Sequence, residues 1–137
     1  MITCVDTNVI SALLRDEPGA VLLGGQLIQA AAQGSLCVHA SVYAELLAAP
    51  DMRAEHLEAF LKSVPIEVDW NTSVSMWTAA SSAYRAYSRR RRESGGGLPR
   101  RLLIDFLIGA HAQQLGAVLF TLDPQHYRQG FPKLLLL

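Results

Sequence analysis

The stretch Ile2-Thr3-Cys4-Val5-Asp6 decides the fold, because a short run of β-branched and apolar residues ends in a carboxylate. Such a run is typical of a buried strand, and it places Asp6 at the strand's carboxyl end. Residues 117–121 repeat the pattern, and Asp123 follows them. We therefore expect both acids at strand ends.

The rest of the chain alternates between short apolar runs and longer segments of helical periodicity. Further strands are predicted at residues 36–39, 66–68 and 134–137, and helices at residues 7–14, 20–32, 42–49, 52–64, 73–90 and 102–115. Strands separated by helices pair in parallel through right-handed crossovers. The sequence thus predicts an α/β fold with an open, mainly parallel sheet of four to five strands. Ligands of such sheets bind outside the carboxyl ends of the strands.

Length and composition predict a single domain spanning residues 1–137, with 50% hydrophobic residues to form its core. Cys4 and Cys37 both lie in apolar runs, which indicates buried thiols in a reducing compartment. No basic residue precedes the first apolar run, so we expect no signal peptide. No apolar run reaches the ~20 residues that span a bilayer. These features predict a cytoplasmic protein without membrane contact.

Positive charge is concentrated in one window although the formal net charge is zero. Six of the 12 Lys and Arg residues fall within residues 89–101, namely Arg89, Arg90, Arg91, Arg92, Arg100 and Arg101. Contact with RNA phosphates is one interpretation of this window. The other is a solvated helix end, where cations complement the helix dipole. The four histidines lack the spacing of metal ligands, and we expect them to be hydrogen-bonded in the interior or on the surface.

Four acids stand in apolar surroundings where an ionised carboxylate is costly unless it is paired or bound to metal. They are Asp6, Glu45, Asp105 and Asp123. Carboxylate oxygens are the ligands that Mg²⁺ and Mn²⁺ prefer, whereas zinc favours the Cys and His ligands that this set lacks. Each acid alone has an ordinary explanation as a cap, turn or surface residue. Their joint occurrence predicts a shared metal site.

Four segments carrying these acids resemble the signature segments of PIN domains in order and spacing, over essentially the whole chain. They are Val-Asp-Thr-Asn-Val (5–9), Ser-Val-Tyr-Ala-Glu-Leu (41–46), Ile-Asp-Phe-Leu-Ile-Gly-Ala-His-Ala (104–112) and Leu-Phe-Thr-Leu-Asp (119–123). In size the chain is most similar to the VapC-type toxins of type II toxin–antitoxin pairs. The resemblance implies an α/β/α sandwich and a Mg²⁺- or Mn²⁺-dependent endoribonuclease, a hydrolase of RNA phosphodiester bonds. It also implies a cognate antitoxin and a homodimer.

The resemblance also implies roles for individual residues. Asp6, Asp105 and Asp123 would hold the metal directly, and Glu45 would complete the catalytic set. Asn8 and Thr121 would support them. Many relatives have a further Asp shortly after the fourth acid, where this chain has Gln125 and His126. The number of metal ions therefore stays open.

Other functions remain as alternatives. One is a catalytically silent PIN-like module that binds RNA or protein, and another is a PIN nuclease outside any toxin–antitoxin pair. A hydrolase of the haloacid-dehalogenase type needs a second acid two residues after its nucleophilic Asp, and Asn8 occupies that place. No Lys stands at a matching strand end late in the chain, which also disfavours a phospho-accepting receiver domain.

Overall fold

The computed structural model describes residues 1–137 and contains five strands and seven helices. In chain order they are β1 (Thr3–Val5), α1 (Thr7–Leu14), α2 (Ala20–Gln33), β2 (Leu36–His39), α3 (Ala40–Leu47), α4 (Ala54–Ser63), β3 (Ile66–Asp69), α5 (Val74–Glu93), α6 (Leu103–Gln114), β4 (Val118–Phe120), α7 (Pro124–Gly130) and β5 (Leu135–Leu136). None of the helices is long and apolar enough to cross a membrane.

The strands form one parallel sheet in the order β3-β2-β1-β4-β5, which confirms the predicted α/β fold with an open parallel sheet. In the central strand β1, Cys4 lies opposite Cys37 of β2 and Leu119 of β4. All three residues of β1 are buried, so helices cover both faces of the sheet in an α/β/α sandwich. Since β1 and β4 are neighbours and run in parallel, their carboxyl ends meet at one edge of the sheet.

The core depends on close contact between α6 and the segment that follows α7. Phe106 of α6 is fully buried and stacks edge-on against Tyr84 of α5, with 5.5 Å between the ring centres. A Cβ atom at Gly109 would lie 2.3 Å from the Phe131 ring, so only glycine lets that ring pack against α6. Helix α6 is therefore fixed in position, and Asp105 in its first turn is fixed with it.

Several element boundaries differ from those expected. Helix α7 (Pro124–Gly130) was not predicted, because seven residues are too few to show an apolar period. Helix α5 continues through Arg92 to Glu93. Helix α3 begins at Ala40 rather than after Ser41, because the His39 side chain accepts the Ser41 amide hydrogen and acts as the N-cap.

Both cysteines are free thiols, in agreement with the prediction. Cys4 is buried and Cys37 is half-buried, with 3.4 Å between their sulfur atoms. The Cys4 sulfur also lies 3.8 Å from Nδ1 of His111. The contact with the Cys37 thiol, together with burial, keeps the pKa of Cys4 far above its usual range, so this thiol stays protonated.

Candidate active site

The four predicted acids line a single cavity of about 290 Å³ at the carboxyl edge of the sheet. Asp6 follows β1 and caps α1, and Asp123 follows β4 and begins α7. Glu45 lies on the second turn of α3, and Asp105 lies in the first turn of α6. Four separate elements thus bring one carboxylate each to the same cavity.

Asp6 is the most enclosed of these acids, with 5% of its surface exposed. Its Oδ1 accepts the amide hydrogen of Thr7 at 2.8 Å. Its Oδ2 accepts the hydroxyl hydrogens of Thr121 at 2.7 Å and Tyr127 at 3.0 Å. Burial raises the pKa of Asp6, these hydrogen bonds oppose the rise, and the charge of Asp105 adds to it. The carboxylate is consequently held in one orientation.

Glu45 and Asp105 are held more loosely, each by one donor. The Thr7 hydroxyl donates to Oε1 of Glu45 at 2.8 Å, and the other carboxylate oxygen has no protein donor. Burial raises the pKa of Glu45, and the charges of Asp105 and Asp6 raise it further. Asp105 accepts the Leu102 amide hydrogen at 3.0 Å, so its carboxylate also caps α6.

Asp123 is paired with a cation from the chain itself. Arg101 donates to its Oδ2 at 2.5 Å, and each of the two side chains is about one-third exposed. The Asp123 amide donates to the Thr121 hydroxyl at 3.0 Å, and the Leu122 amide donates to Oδ1 of Asn8 at 3.1 Å. Thr121 and Asn8 therefore fix the turn that carries Asp123, and their role in supporting a metal site stays a prediction.

The donor set suits a hard divalent cation, since it offers carboxylate oxygens and no sulfur or imidazole. As the side chains stand, however, no three His, Cys, Asp or Glu residues are placed so that they could hold a metal ion. Each of the four carboxylates instead accepts a hydrogen bond from the protein. A metal would therefore bind in exchange for some of these contacts, that of Arg101 foremost.

Tyr127 and Thr7 belong to the cavity but were not singled out from the sequence. Burial raises the pKa of Tyr127, and the negative charge of Asp6 raises it further, so the hydroxyl remains a hydrogen-bond donor. The one sequence signal was that Tyr127 lies four residues after Asp123, one helical turn away.

The arginine window divides into residues with different surroundings. Arg101 points into the acid cavity, and Arg91 donates to the backbone carbonyls of Gly96 and Leu98. The remaining four side chains are exposed and make no hydrogen bond or ion pair: Arg89, Arg90, Arg92 and Arg100. RNA contact by the window stays a prediction, and these four arginines have no competing partner.

A second polar network lies away from the cavity, around His39 and His111. The Ser41 amide donates to Nδ1 of His39 at 3.1 Å, so this nitrogen carries no proton, and Nε2 donates to the Thr72 hydroxyl at 2.9 Å. Nε2 of His111 lies 2.9 Å from the Asp69 carboxylate. Burial and the nearby His111 lower the pKa of His39 to about 4, although the charge of Asp69 opposes this.

This low pKa predicts that acid destabilises the fold through His39. Between pH 6.5 and pH 4 the unfolded chain binds a proton at this residue that the folded chain does not, so stability falls as the pH falls. The full difference between pKa 6.5 and about 4 corresponds to about 3.4 kcal/mol, and solvent screening reduces the expected loss to about 1–3 kcal/mol. Urea unfolding at several pH values should show that His39→Asn, which keeps a capping oxygen but cannot titrate, has a flatter profile. An identical slope in both proteins would contradict the assignment.

Comparison with known proteins places the chain in a family. Three solved structures each share 20% identity with it and have the same fold. VapBC2 from Rickettsia felis, bound to a DNA fragment from their promoter, matches with a TM-score of 0.64 over 100% of this chain and 98% of that chain. VapBC-1 from nontypeable Haemophilus influenzae matches with a TM-score of 0.69 over 100% and 97%. FitAcB from Neisseria gonorrhoeae matches with a TM-score of 0.61 over 99% and 96%.

No curated protein sequence matches the chain. Residues 3–132 nevertheless match the sequence profile of the family described as PIN domain. That match covers nearly all of the chain and includes the four acids of the cavity. The chain therefore belongs to the PIN domain family.

Proposed function

We propose that this protein is a Mg²⁺- or Mn²⁺-dependent endoribonuclease, with residues 1–137 acting as one nuclease domain. The observation that carries the proposal is the convergence of four carboxylates from four separate elements on one open cavity. Asp6, Asp105 and Asp123 would hold the metal. When bound, the ion would bind the scissile phosphate and lower the pKa of an attacking water.

The protein's own contribution is to orient these groups. Asp6 is fixed by three hydrogen bonds, so its carboxylate needs little reordering to act as a ligand. Glu45 has one oxygen anchored by Thr7 and one without a donor, and the second oxygen can accept a hydrogen bond from water. Its raised pKa suits a group that accepts a proton. Glu45 would thus orient the nucleophile, directly or through a water-mediated contact with the metal.

Arg101 neutralises Asp123 in the absence of metal. A divalent ion at Asp123 would place two positive charges where the guanidinium of Arg101 places one. The four carboxylates attract the doubly charged ion more strongly. Arg101 is about one-third exposed, so it can move to the mouth of the cavity without unpacking the core. There its guanidinium would face the RNA phosphates, as the sequence prediction holds.

We further propose that the protein acts as the toxin of a toxin–antitoxin pair. Support comes from the fold that the chain shares with VapBC structures. An antitoxin that inserts a basic side chain among the acids would silence the enzyme, and the position of Arg101 supports this, since a guanidinium already fits the cavity. The homodimer and the cytoplasmic location implied by the sequence stay predictions.

A catalytically silent PIN-like module is the second candidate, and one observation favours it. The ion pair of Arg101 and Asp123 fills part of the cavity, and no three metal-ligating side chains stand ready to bind an ion. A silent module would retain this pair in the presence of metal. A nuclease would exchange it.

A cleavage assay distinguishes the two. The purified protein is incubated with total RNA in EDTA, in Mg²⁺ and in Mn²⁺, and its melting temperature is measured in each buffer. We expect cleavage only with a divalent metal, together with a higher melting temperature, because the ion binds the folded state alone. Undiminished cleavage in EDTA would refute the metal mechanism. No cleavage under any condition would identify the silent module.

A further inference from the structure

Two further cavities lie in line with the acid cavity, between α1 and α3 and as far as the start of α4. A smaller cavity of about 80 Å³ adjoins the acid cavity and shares Thr7, Ser11 and Glu45 with it. That cavity in turn adjoins one of about 280 Å³. The residues common to these last two are Leu14, Arg15, Ala49 and Met52. Because the three cavities share walls, we treat the last two as one feature, the side groove.

The far end of the side groove is cationic. Arg15 and Arg53 line it, and both are exposed and make no side-chain hydrogen bond or ion pair. The only ion pairs in the chain are those of Arg101 with Asp123 and of His111 with Asp69. Asp51 lies among the lining residues, so two cations face one acid there. The arginines therefore retain an excess of positive charge at this end of the groove.

The part of the side groove next to the acid cavity is narrow and partly apolar. Leu14 and Met52 are half-buried and form walls on both of its cavities. At about 80 Å³ this is the smallest of the three cavities, so it takes in single groups of a ligand and not the full width of an α-helix, whose diameter with side chains is about 10–12 Å. An extended strand fits better, with apolar walls for a base and cations for the backbone.

We propose that the side groove binds single-stranded RNA on one side of the scissile phosphate, with Arg15 and Arg53 contacting backbone phosphates. This inference rests on the proposed function, because the acid cavity at the near end would hold the scissile phosphate. The charge pattern supports an anionic strand, whose phosphates would meet the metal site first and the two arginines further along. Leu14 and Met52 would contact the base between them.

The test measures RNA binding without cleavage. The Asp6→Asn variant, which we expect not to cut, is titrated into fluorescently labelled single-stranded RNA of mixed sequence at several salt concentrations. Into that background we introduce the pair Arg15→Gln and Arg53→Gln. The matched control is the pair Lys62→Gln and Lys133→Gln, which removes the same charge from residues outside the groove. Melting temperatures verify that every variant is folded.

We expect the arginine pair to weaken binding about tenfold or more, and to lower the salt slope by about 1.4, or about 0.7 for each lost phosphate contact. The lysine pair should change both quantities little. Equal losses in the two pairs would mean that only overall charge matters and would overturn the proposal. Unchanged RNA binding by the double arginine variant would also overturn the proposal. This holds even if the same variant loses affinity for a protein partner, because the groove would then bind protein and not RNA.

Failure of the side groove and failure of the nuclease function give different results. RNA cleavage by the native chain is measured separately. If the native chain cuts RNA while the variant with both arginines replaced still binds RNA normally, only the groove assignment is wrong. If the arginine pair loses binding while the native chain never cuts RNA, the side groove stands and the catalytic proposal is wrong.

Discussion

Replacing Asp6 with Asn is expected to reduce RNA cleavage by at least about three orders of magnitude, which corresponds to about 4 kcal/mol of transition-state stabilisation. The amide has the shape of the carboxylate but lacks its charge and one acceptor oxygen, so it is a poor ligand for Mg²⁺. The fold should persist. Burial already disfavours the ionised form of Asp6, and the hydroxyls of Thr121 and Tyr127 can rotate to accept hydrogen bonds from the new amide.

The matched control for this substitution is Asp16→Asn. Asp16 is exposed outside the cavity and has a φ of 50°, a conformation that Asn also tolerates. Initial cleavage rates and melting temperatures should be measured for both variants with and without Mg²⁺. The Asp16 variant should match the native chain, whereas the Asp6 variant should lose both activity and the thermal response to the ion. Full cleavage by a folded Asp6 variant would mean that Asp6 is not part of the catalytic site.

The sheet and its acidic edge could be predicted because they depend on short-range patterns. An apolar run that ends in Asp6, and a second that ends shortly before Asp123, are enough to place both acids at strand ends. Parallel pairing of the two strands then brings the acids together. Glu45 and Asp105 could be predicted from the apolar residues around them, because a buried carboxylate is costly unless it is paired or binds a metal.

The partners of these acids could not be predicted, because they depend on how loops close in space. Arg101 and Arg91 belong to the same basic window, yet one enters the acid cavity and the other braces the loop before α6. The sequence alone gives no sign of this difference between the two arginines. Tyr127 reaches Asp6 from α7, and such a short helix gives no periodic signal. Outside the cavity, the contact of Asp69 with His111 could not be predicted either, because it joins residues 42 positions apart.

The surface of α2 offers a place for the proposed antitoxin. Val21, Leu22 and Ile28 on this helix have 90%, 69% and 68% of their surface exposed. Exposed apolar side chains grouped on one helix are typical of an interaction site rather than of a free surface. An amphipathic antitoxin helix would bury its apolar face against these side chains. The inhibitory basic residue of the partner would then reach the acid cavity separately.

Substituting Val21→Asp together with Leu22→Asp is expected to weaken antitoxin binding about 100-fold, or about 2.7 kcal/mol. Full burial of one such side chain contributes about 1.5–3 kcal/mol, so partial burial of both accounts for this loss, and a buried unpaired carboxylate would add to it. The control pair is Val74→Asp with Leu98→Asp, which are similarly exposed at 78% and 85% but lie elsewhere in the chain. Affinity can be measured by calorimetry with a purified cognate antitoxin. RNA cleavage by the free protein should be the same in both pairs, since none of the four residues lines the acid cavity. If the control pair loses affinity and the α2 pair keeps it, the partner binds another face.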